Sequence, residues 1–266
     1  MRASAAFPGP EFSLSVSRAL RILTSFTHEQ PELGLSEISR SLSLSKASVS
    51  RFLQALEMHG FVDQNPQSRK YRPGPETARI GSLYLAGGLL KQIALPVMGA
   101  LVGRFGFTSY LSTLKDDQML ILVSVEGAGP IKYSIPVGSK LPVHSTATGK
   151  AALAQMESDQ VSAIIARTGL PQRTKQTITQ RTIMARRLAE IRACGYSTNW
   201  EESTAGIASV AAAVCNSDAT PLCYLSLGFA TSQIKREQMA GLGREVKAVA
   251  EELAVRLKAE GVRDVG

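Results

Sequence analysis

The first 75 residues contain three short apolar periodicities followed by a basic hairpin pattern, and this succession limits the possible folds more than any other feature of the chain. Each periodic segment has apolar residues at helical spacing and is bounded by turn or capping residues. We expect the first helix to end at Gln30-Pro31, and the third to begin after Ser45 and end at Gly60. The apolar residues of the three predicted helices lie within residues 16–26, 35–42 and 49–56.

The residues after Gly60 predict a two-stranded hairpin. Phe61 and Val62 begin the first strand, residues 63–68 are typical of a turn, and residues 69–72 (Arg-Lys-Tyr-Arg) form a basic return strand. Three short helices followed by a basic hairpin are typical of a winged helix-turn-helix, a fold that binds DNA.

The predicted third helix has one apolar side and one side suited to DNA. Its apolar side chains would anchor it to a small core, so its small, polar and basic side chains face outward, where they suit a major groove. The cations of the return strand suit phosphates or the minor groove. The predicted DNA-binding residues are Lys46, Ala47, Ser48, Ser50, Arg51, Gln54, Arg69, Lys70 and Arg72. The alternative is that these charges only solvate a small helical domain.

The positions of proline and glycine residues predict two domains and a connector. Residues 1–12 contain two prolines and a glycine and are expected to be a disordered tail, and Pro73-Gly74-Pro75 ends the DNA-binding domain of residues 13–75. A linker helix over residues 76–95 is expected to stop at Pro96. The second domain, residues 96–266, mixes strand and helix patterns, so the fold class is α+β with an antiparallel sheet. Its predicted strands are 108–113, 119–125, 131–137, 207–214 and 221–230, and its predicted helices are 97–105, 148–156, 159–168, 180–194 and 232–259.

Composition narrows the class of protein. The chain has 266 residues, 44% of them hydrophobic, which is enough for domains with a hydrophobic core. Its net charge of +8 is suited to binding nucleic acid, membrane surfaces or anionic ligands. Cys194, Cys215 and Cys223 lack the spacing of a disulfide framework or a zinc finger, which indicates reduced thiols. The apolar stretches are too short for a signal peptide or a membrane span. We therefore expect a cytoplasmic protein without a membrane partner.

The sequence patterns that could indicate an enzyme are incomplete in this chain. The string ATGKA lacks the other residues of a phosphate loop, because His144 and Ala151 stand where glycine and Ser or Thr are needed. No GxSxG elbow is present, and the three histidines lack metal-ligand spacing. Adjacent carboxylates such as Glu201 and Glu202 seldom converge on one substrate. The sequence therefore predicts a protein that is not an enzyme, with no cofactor and no metal.

The same string supports a different kind of site. Ser145 or Thr146 can cap a helix that begins near Ala147, and the free N–H groups at a helix start attract a carboxylate. The alternative is an ordinary capped helix without a ligand.

Several segments together resemble the IclR family of bacterial transcriptional regulators. They are SVSRALRILTSF, LSEISRSLSLSKASVSRFLQALEMHGFV and KYRPGP in the first domain, and GSKLPVHSTATGKAALA and GYSTNWEESTAGIASVAAAV in the second. The resemblance implies a winged helix, a linker helix and a GAF-like effector-binding domain. It also implies a homodimer, often paired into a homotetramer, that binds double-stranded operator DNA as a repressor or an activator.

The resemblance also implies an effector pocket. Carried over residue by residue, the pocket consists of Tyr133, Ala147, Thr148, Asn199, Ile207, Ser209, Ser226 and Gly228. This chain has Asn199 where an Asp is common, Ser209 where a Cys can occur and Gly228 where a Ser can occur. Neutral hydrogen-bonding side chains suit a small organic acid as effector. Glu201, Glu202 and Gly206 match a motif that is expected to shape the pocket rather than to contact the ligand.

Overall fold

The computed structural model describes residues 13–129 and 133–262, so the predicted tail of residues 1–12 lies outside the described residues. The chain divides into two compact units, Met1–Gly87 and Gly88–Gly266. This division falls within the predicted linker. No helix of the described residues is long and apolar enough to cross a bilayer.

The first unit is a winged helix-turn-helix. Its elements are α1 (Leu14–Leu23), α2 (Leu35–Leu42), α3 (Lys46–Met58), β1 (Val62–Gln64), β2 (Tyr71–Pro73) and α4 (Pro75–Gly87). Strands β1 and β2 pair antiparallel, as the hairpin pattern predicts. Buried Ile22, Ile38, Val49 and Leu53 bring the first three helices around one core. The Ser45 hydroxyl caps α3 by accepting a hydrogen bond from the Ser48 N–H.

Two predicted boundaries in this unit are wrong. Helix α1 ends at Leu23 rather than near Pro31, because the hydroxyls of Thr24 and Ser25 bind the carbonyls of its last turn. Strand β2 begins only at Tyr71, because Arg69 has a φ of +57° and therefore belongs to the turn.

The predicted linker helix over residues 76–95 is also wrong in its ends. The helix breaks at Gly88, and the next helix, α5 (Leu89–Phe105), contains Pro96 in its interior. Proline removes one hydrogen bond of the helix, but Ala94, Val97 and Met98 on either side of it are buried against the sheet. The burial of these side chains outweighs the tendency of proline to end a helix.

The second unit contains a six-stranded antiparallel sheet with the strand order β5-β4-β3-β8-β7-β6. Its strands are β3 (Thr108–Lys115), β4 (Gln118–Val125), β5 (Lys140–Pro142), β6 (Ser197–Trp200), β7 (Ile207–Cys215) and β8 (Pro221–Ala230). Its further helices are α6 (Ala147–Ala154), α7 (Ser158–Thr168), α8 (Arg181–Cys194) and α9 (Met239–Ala259). Helices α5 and α9 cover one face of the sheet, and α6, α7 and α8 cover the other. This architecture confirms the predicted α+β class.

The short edge elements differ from the sequence prediction. Residues 133–137 of the predicted strand 131–137 form no strand, and 131 and 132 lie outside the described residues. Pro136 has no N–H for a ladder, and the Tyr133 carbonyl accepts a hydrogen bond from the Tyr110 hydroxyl. Strands β5 and β6 were absent from the prediction, because three or four residues show little periodicity. Helix α9 begins at Met239 rather than at residue 232, after two short 3₁₀ turns.

Alternation along the central strands separates an apolar face from a partly polar one. In β7, Ala208 and Val210 belong to the core beneath α5 and α9, so Ser209 between them faces the side of α6. In β8, Leu227 and Phe229 belong to the same core, so Gly228 also faces α6. The sheet therefore presents small and polar residues to the start of α6.

Helix α6 approaches the segment before it very closely at Gly149. A Cβ atom on this residue would collide with the backbone of Val143. We predict that Gly149→Ala lowers the free energy of unfolding by about 1–3 kcal/mol, because the helix would have to move. Gly99→Ala is the matched control: Gly99 is exposed in α5, and nothing lies near its Cβ position.

The control substitution should raise the free energy of unfolding by about 0.5–1 kcal/mol, because alanine favours helix more than glycine does. Urea unfolding followed by circular dichroism measures both variants. Equal stability of Gly149→Ala and the wild type would contradict the close packing of α6.

Candidate functional site

The predicted DNA-facing residues of α3 lie on its accessible side. Val49 and Leu53 are fully buried, whereas Lys46, Arg51 and Gln54 are exposed. Of the remaining predicted residues on this helix, Ala47 is exposed, and Ser48 and Ser50 are half-buried. The structure thus places a basic and polar side of α3 in contact with solvent.

The hairpin cations are accessible as well, but one of them has a partner. Arg69 and Arg72 are exposed, and the Lys70 ammonium lies 3.7 Å from the Glu37 carboxylate. No carboxylate of the described residues forms an ion pair with Lys46, Arg51, Arg69 or Arg72. These four cations can bind phosphates without first breaking an ion pair.

A cavity of about 40 Å³ in the second unit collects all eight residues of the predicted effector pocket. It lies between the partly polar face of the sheet and the start of α6. Six further residues line it that the sequence prediction missed: Tyr110, Ile121, Ile135, Leu141, Thr146 and Ser203. Tyr110 lies there because it is opposite Ser226 in the sheet, a strand pairing that the sequence pattern alone does not predict.

The start of α6 forms one wall of the cavity. Of the two predicted caps, Thr146 caps the helix: its hydroxyl accepts a hydrogen bond from the Gly149 N–H at 3.1 Å and donates to the Pro142 carbonyl at 2.7 Å. The N–H groups of Ala147 and Thr148 have no acceptor among the described residues. Both residues are buried. Two donors at the positive end of the helix therefore point at a cavity rather than at bulk water.

The opposite wall consists of adjacent strands in register. Asn199, Ser209 and Gly228 lie side by side on β6, β7 and β8. The Asn199 amide donates a hydrogen bond to the Ser209 hydroxyl at 3.3 Å. All these side chains are neutral, so the cavity wall offers hydrogen bonds without a formal charge.

Two tyrosines close the cavity on one side. The Tyr110 hydroxyl donates to the Tyr133 carbonyl and accepts a hydrogen bond from the Ile135 N–H. Burial raises the pKa of both tyrosines above the ordinary value, so their hydroxyls stay protonated at neutral pH. A Cβ atom on Gly228 would lie 3.2 Å from the Tyr110 ring and 3.3 Å from the Tyr133 ring. Glycine at this position thus allows both rings to lie against the sheet.

Beside the cavity lies a buried ion pair that the sequence pattern does not predict. The Lys150 ammonium binds the Glu202 carboxylate, and the two side chains are 0% and 10% exposed. Burial lowers the pKa of Lys150 to about 8, although Glu202 opposes this shift. The Glu202 N–H donates to the Asn199 side-chain carbonyl at 2.8 Å, which links the pair to the cavity wall.

The other side chains that could react chemically are packed in the core or form hydrogen bonds within the fold. His144 is buried, and its Nε2 lies 3.0 Å from the Pro171 carbonyl oxygen, to which it can donate. Burial lowers the pKa of His144 and raises the pKa of Cys223, which lies in the core beneath α5 and α9. Glu201 accepts a hydrogen bond from the Gly206 N–H at 2.8 Å and so closes the loop after β6. None of these groups forms a nucleophile–base pair.

A larger open cleft of about 580 Å³ lies along the edge strand β6. Glu190, Glu202 and Glu237 line it together with Arg187 and Arg236. Arg187 is already bound to Glu190 and to the Thr198 hydroxyl. This mixture of charges suits an anion less well than the free N–H groups of α6 do.

Comparison with known proteins agrees with both units. The model of the IclR helix-turn-helix domain matches residues 15–66, and that of the bacterial transcriptional regulator IclR C-terminal domain matches residues 83–255. The regulator XynR of Escherichia coli is 31% identical over 88% of this chain and 92% of its own.

Solved structures share the fold over almost the whole chain. An IclR transcriptional regulator from Alicyclobacillus acidocaldarius is 29% identical, with a TM-score of 0.80 over 92% of this chain and 99% of its own. An IclR homologue from Microbacterium hydrocarbonoxydans, complexed with 4-hydroxybenzoate, is 22% identical, with a TM-score of 0.74 over 92% of this chain and 99% of its own, and shows the fold alone. The matched domains and XynR are regulators and not enzymes, as the sequence predicts. The chain belongs to the IclR family of bacterial transcriptional regulators.

Proposed function

We propose that this DNA-binding transcriptional regulator responds to a small carboxylic acid that binds in the cavity at the start of α6. The observation that carries the proposal is the pair of buried N–H groups of Ala147 and Thr148, which have no acceptor among the described residues. The regulator would act in the cytoplasm, where bacterial DNA lies.

A carboxylate satisfies this wall better than a neutral ligand does. Buried N–H groups without acceptors cost free energy, and the helix dipole favours a negative charge at this end. The amide of Asn199 and the hydroxyls of Ser209 and Ser226 supply further hydrogen bonds around the same space. An anion can therefore be bound without a cation in direct contact. The bound 4-hydroxybenzoate of the Microbacterium homologue, an aromatic carboxylate, is consistent with this chemistry.

The size of the cavity favours a small acid. A volume of about 40 Å³ corresponds to roughly three water molecules, which favours an acid about as small as acetate. A larger acid needs more space than the cavity offers, so some of the lining residues would have to move. The series acetate, propionate and 4-hydroxybenzoate therefore samples the ligand sizes that the cavity distinguishes.

For DNA, we propose that α3 enters the major groove and that the hairpin holds the backbone. In this arrangement Arg51, Lys46 and Ser50 would contact base edges, and Arg69, Lys70 and Arg72 would bind phosphates. Lys70 would exchange its ion pair with Glu37 for a phosphate, which also releases a counterion.

We further propose that the protein acts as a homodimer, in the simplest case on two half-sites. One winged helix buries little surface on DNA, and two of them supply affinity and specificity. In α4, Ile80 and Leu83 are 45% and 61% exposed, and in α1, Leu14 and Leu20 are 60% and 55% exposed. Apolar side chains of this size at the surface of one small unit are suited to a contact with a second copy.

DNA binding is tested with a duplex that the wild-type protein selects from a random pool. We predict that Arg51→Ala weakens binding to the selected site by about 1–3 kcal/mol and relaxes the preference at one base position. Lys70→Ala should instead weaken binding to all sequences similarly and reduce the salt slope by about 1. Fluorescence anisotropy at several salt concentrations separates the two effects.

Lys258→Ala removes an exposed charge from the second unit and serves as the matched control, because it should change neither affinity nor slope. Retention of wild-type affinity by both test variants would contradict the docking.

Light scattering of the same samples at micromolar concentration should give the mass of a dimer or larger assembly, and a monomeric mass would contradict the homodimer.

Effector binding is tested by calorimetry with acetate, propionate and 4-hydroxybenzoate. We predict that Thr148→Pro abolishes binding of the acid that the wild type prefers, because proline is tolerated in the first turn of a helix but removes one N–H donor. Thr148→Ala is the matched control, since it removes the hydroxyl and keeps the N–H group. Ser209→Leu should also abolish binding, because the larger side chain fills the cavity.

All three variants should bind DNA without the acid as the wild type does. A wild-type acid titration for Thr148→Pro or Ser209→Leu would place the ligand elsewhere. Equal loss in Thr148→Ala and Thr148→Pro would show that the hydroxyl rather than the N–H group matters, which contradicts the proposal.

A further inference from the structure

The Lys150–Glu202 ion pair is poorly explained by stability alone. Removing two charges from water costs free energy, which their attraction recovers only when the remaining hydrogen-bonding groups are also satisfied. Lys150 is completely buried, and the second carboxylate oxygen of Glu202 has no hydrogen-bond donor among the described residues. A well-packed apolar pair would stabilise such a position at least as well.

The position of the pair indicates a different role. Lys150 lies on α6, two residues after Thr148, whose N–H group faces the cavity. Glu202 follows β6, and its N–H group binds the side-chain carbonyl of Asn199. With its oxygen occupied in this way, Asn199 directs its NH₂ group to Ser209 at 3.3 Å, on the cavity wall. The pair therefore connects the two walls that carry the donors of the cavity.

The backbone of Glu202 is held from a second direction. Its carbonyl accepts a hydrogen bond from the Thr177 hydroxyl at 2.7 Å and a longer one from the Thr174 hydroxyl at 3.5 Å. Residue 202 is thus fixed through its side chain by α6 and through its carbonyl by the loop before α8. Loss of the ion pair would free the first of these two attachments.

We propose that Lys150 and Glu202 are positioning residues for the effector: their ion pair holds the Asn199 amide and the first turn of α6 in the arrangement that binds the acid. This proposal rests on the proposed effector site. Neither residue contacts the acid directly. Their effect on affinity passes through Asn199 and through the N–H groups of Ala147 and Thr148.

Burial makes the ion pair sensitive to pH, and several charged or titratable groups face Lys150. Glu202 faces it from the end of β6 and Arg187 from α8, and His144 from the preceding loop also interacts with it. Burial lowers the pKa of Lys150 to about 8, whereas His144 is neutral above pH 7 because burial lowers its pKa as well. Between pH 7 and 9, Lys150 thus loses the proton that its ion pair with Glu202 requires.

Stability and positioning depend on pH in opposite directions. The pKa of Lys150 is lower in the folded chain than its ordinary value of 10.5, so unfolding takes up a proton between about pH 8 and 10.5. The contribution of Lys150 to the free energy of unfolding therefore rises with pH in that range. The ion pair is present below about pH 8 and disappears as the pH rises, and the affinity for the acid should fall with it.

The test uses the full-length protein with ¹⁵N-labelled asparagine. The chain has three asparagines, Asn65, Asn199 and Asn216, so the side-chain amide spectrum contains three pairs of signals. The variant Lys150→Met/Glu202→Gln removes both charges at once and leaves no buried charge unpaired. Lys247→Met/Glu251→Gln is the matched control, because it removes an exposed Lys–Glu pair from α9.

We expect the Asn199 signals alone to move in the Lys150→Met/Glu202→Gln variant, and in the wild type between pH 7 and 9. The affinity of this variant for the preferred acid of the acetate, propionate and 4-hydroxybenzoate series should fall on the order of tenfold, the effect of one misplaced hydrogen bond. The wild-type affinity should fall similarly from pH 7 to 9. The control pair should change neither the Asn199 signals nor the affinity.

Two results would overturn the proposal: unmoved Asn199 signals in the wild type from pH 7 to 9, or a folded double variant that binds the acid as the wild type does. The wild-type pH titration decides the matter even when the double variant does not fold. If none of the acids binds the wild type, the effector proposal fails, and the Asn199 signals still test the positioning separately.

Discussion

The start of α6 imposes the constraint on which the second unit depends. A helix leaves its first N–H groups without partners, and here the helix start is buried against a sheet rather than exposed to water. Thr146 satisfies the Gly149 N–H, but the N–H groups of Ala147 and Thr148 remain without acceptors among the described residues. The adjoining features follow from this arrangement: a cavity beside the helix start, small polar residues on the strands opposite, and a glycine that permits the close approach.

Part of this arrangement could be predicted from the sequence, because it depends on local patterns. Residues 207–214 and 221–230 predict the two central strands from their composition, and Thr146 is recognisable as one of two possible caps of α6. The eight pocket residues came from the resemblance to the family, and the fold brings all eight to one cavity. The strand predictions succeeded where the strands were long.

The rest could not be predicted, because it depends on contacts between distant segments. Lys150 and Glu202 are 52 positions apart, and a lysine inside a helix normally suggests exposure rather than complete burial. Pro96 suggested a helix end, but the buried side chains around it keep α5 intact. Strand β6, which carries Asn199, is too short for a periodic signal and forms because β7 offers it a free edge.

For a regulator, the cavity matters only if the acid binds two states of the protein with different affinity. The donors at α6 and Asn199 belong to elements that the Lys150–Glu202 pair connects. The two units are joined along the chain at Gly87 and Gly88, where helix α4 ends and α5 begins. We expect a response to the acid to pass along this connection to the DNA-binding unit.

The binding of a carboxylate at the start of α6 is tested most directly by a crystal structure. The protein would be crystallised with its preferred acid of the acetate, propionate and 4-hydroxybenzoate series. We expect a carboxylate whose oxygens lie about 3 Å from the backbone nitrogens of Ala147 and Thr148, within reach of the Asn199 amide. The proposed effector site would be contradicted by a carboxylate bound elsewhere, such as in the cleft beside β6, with both N–H groups still free.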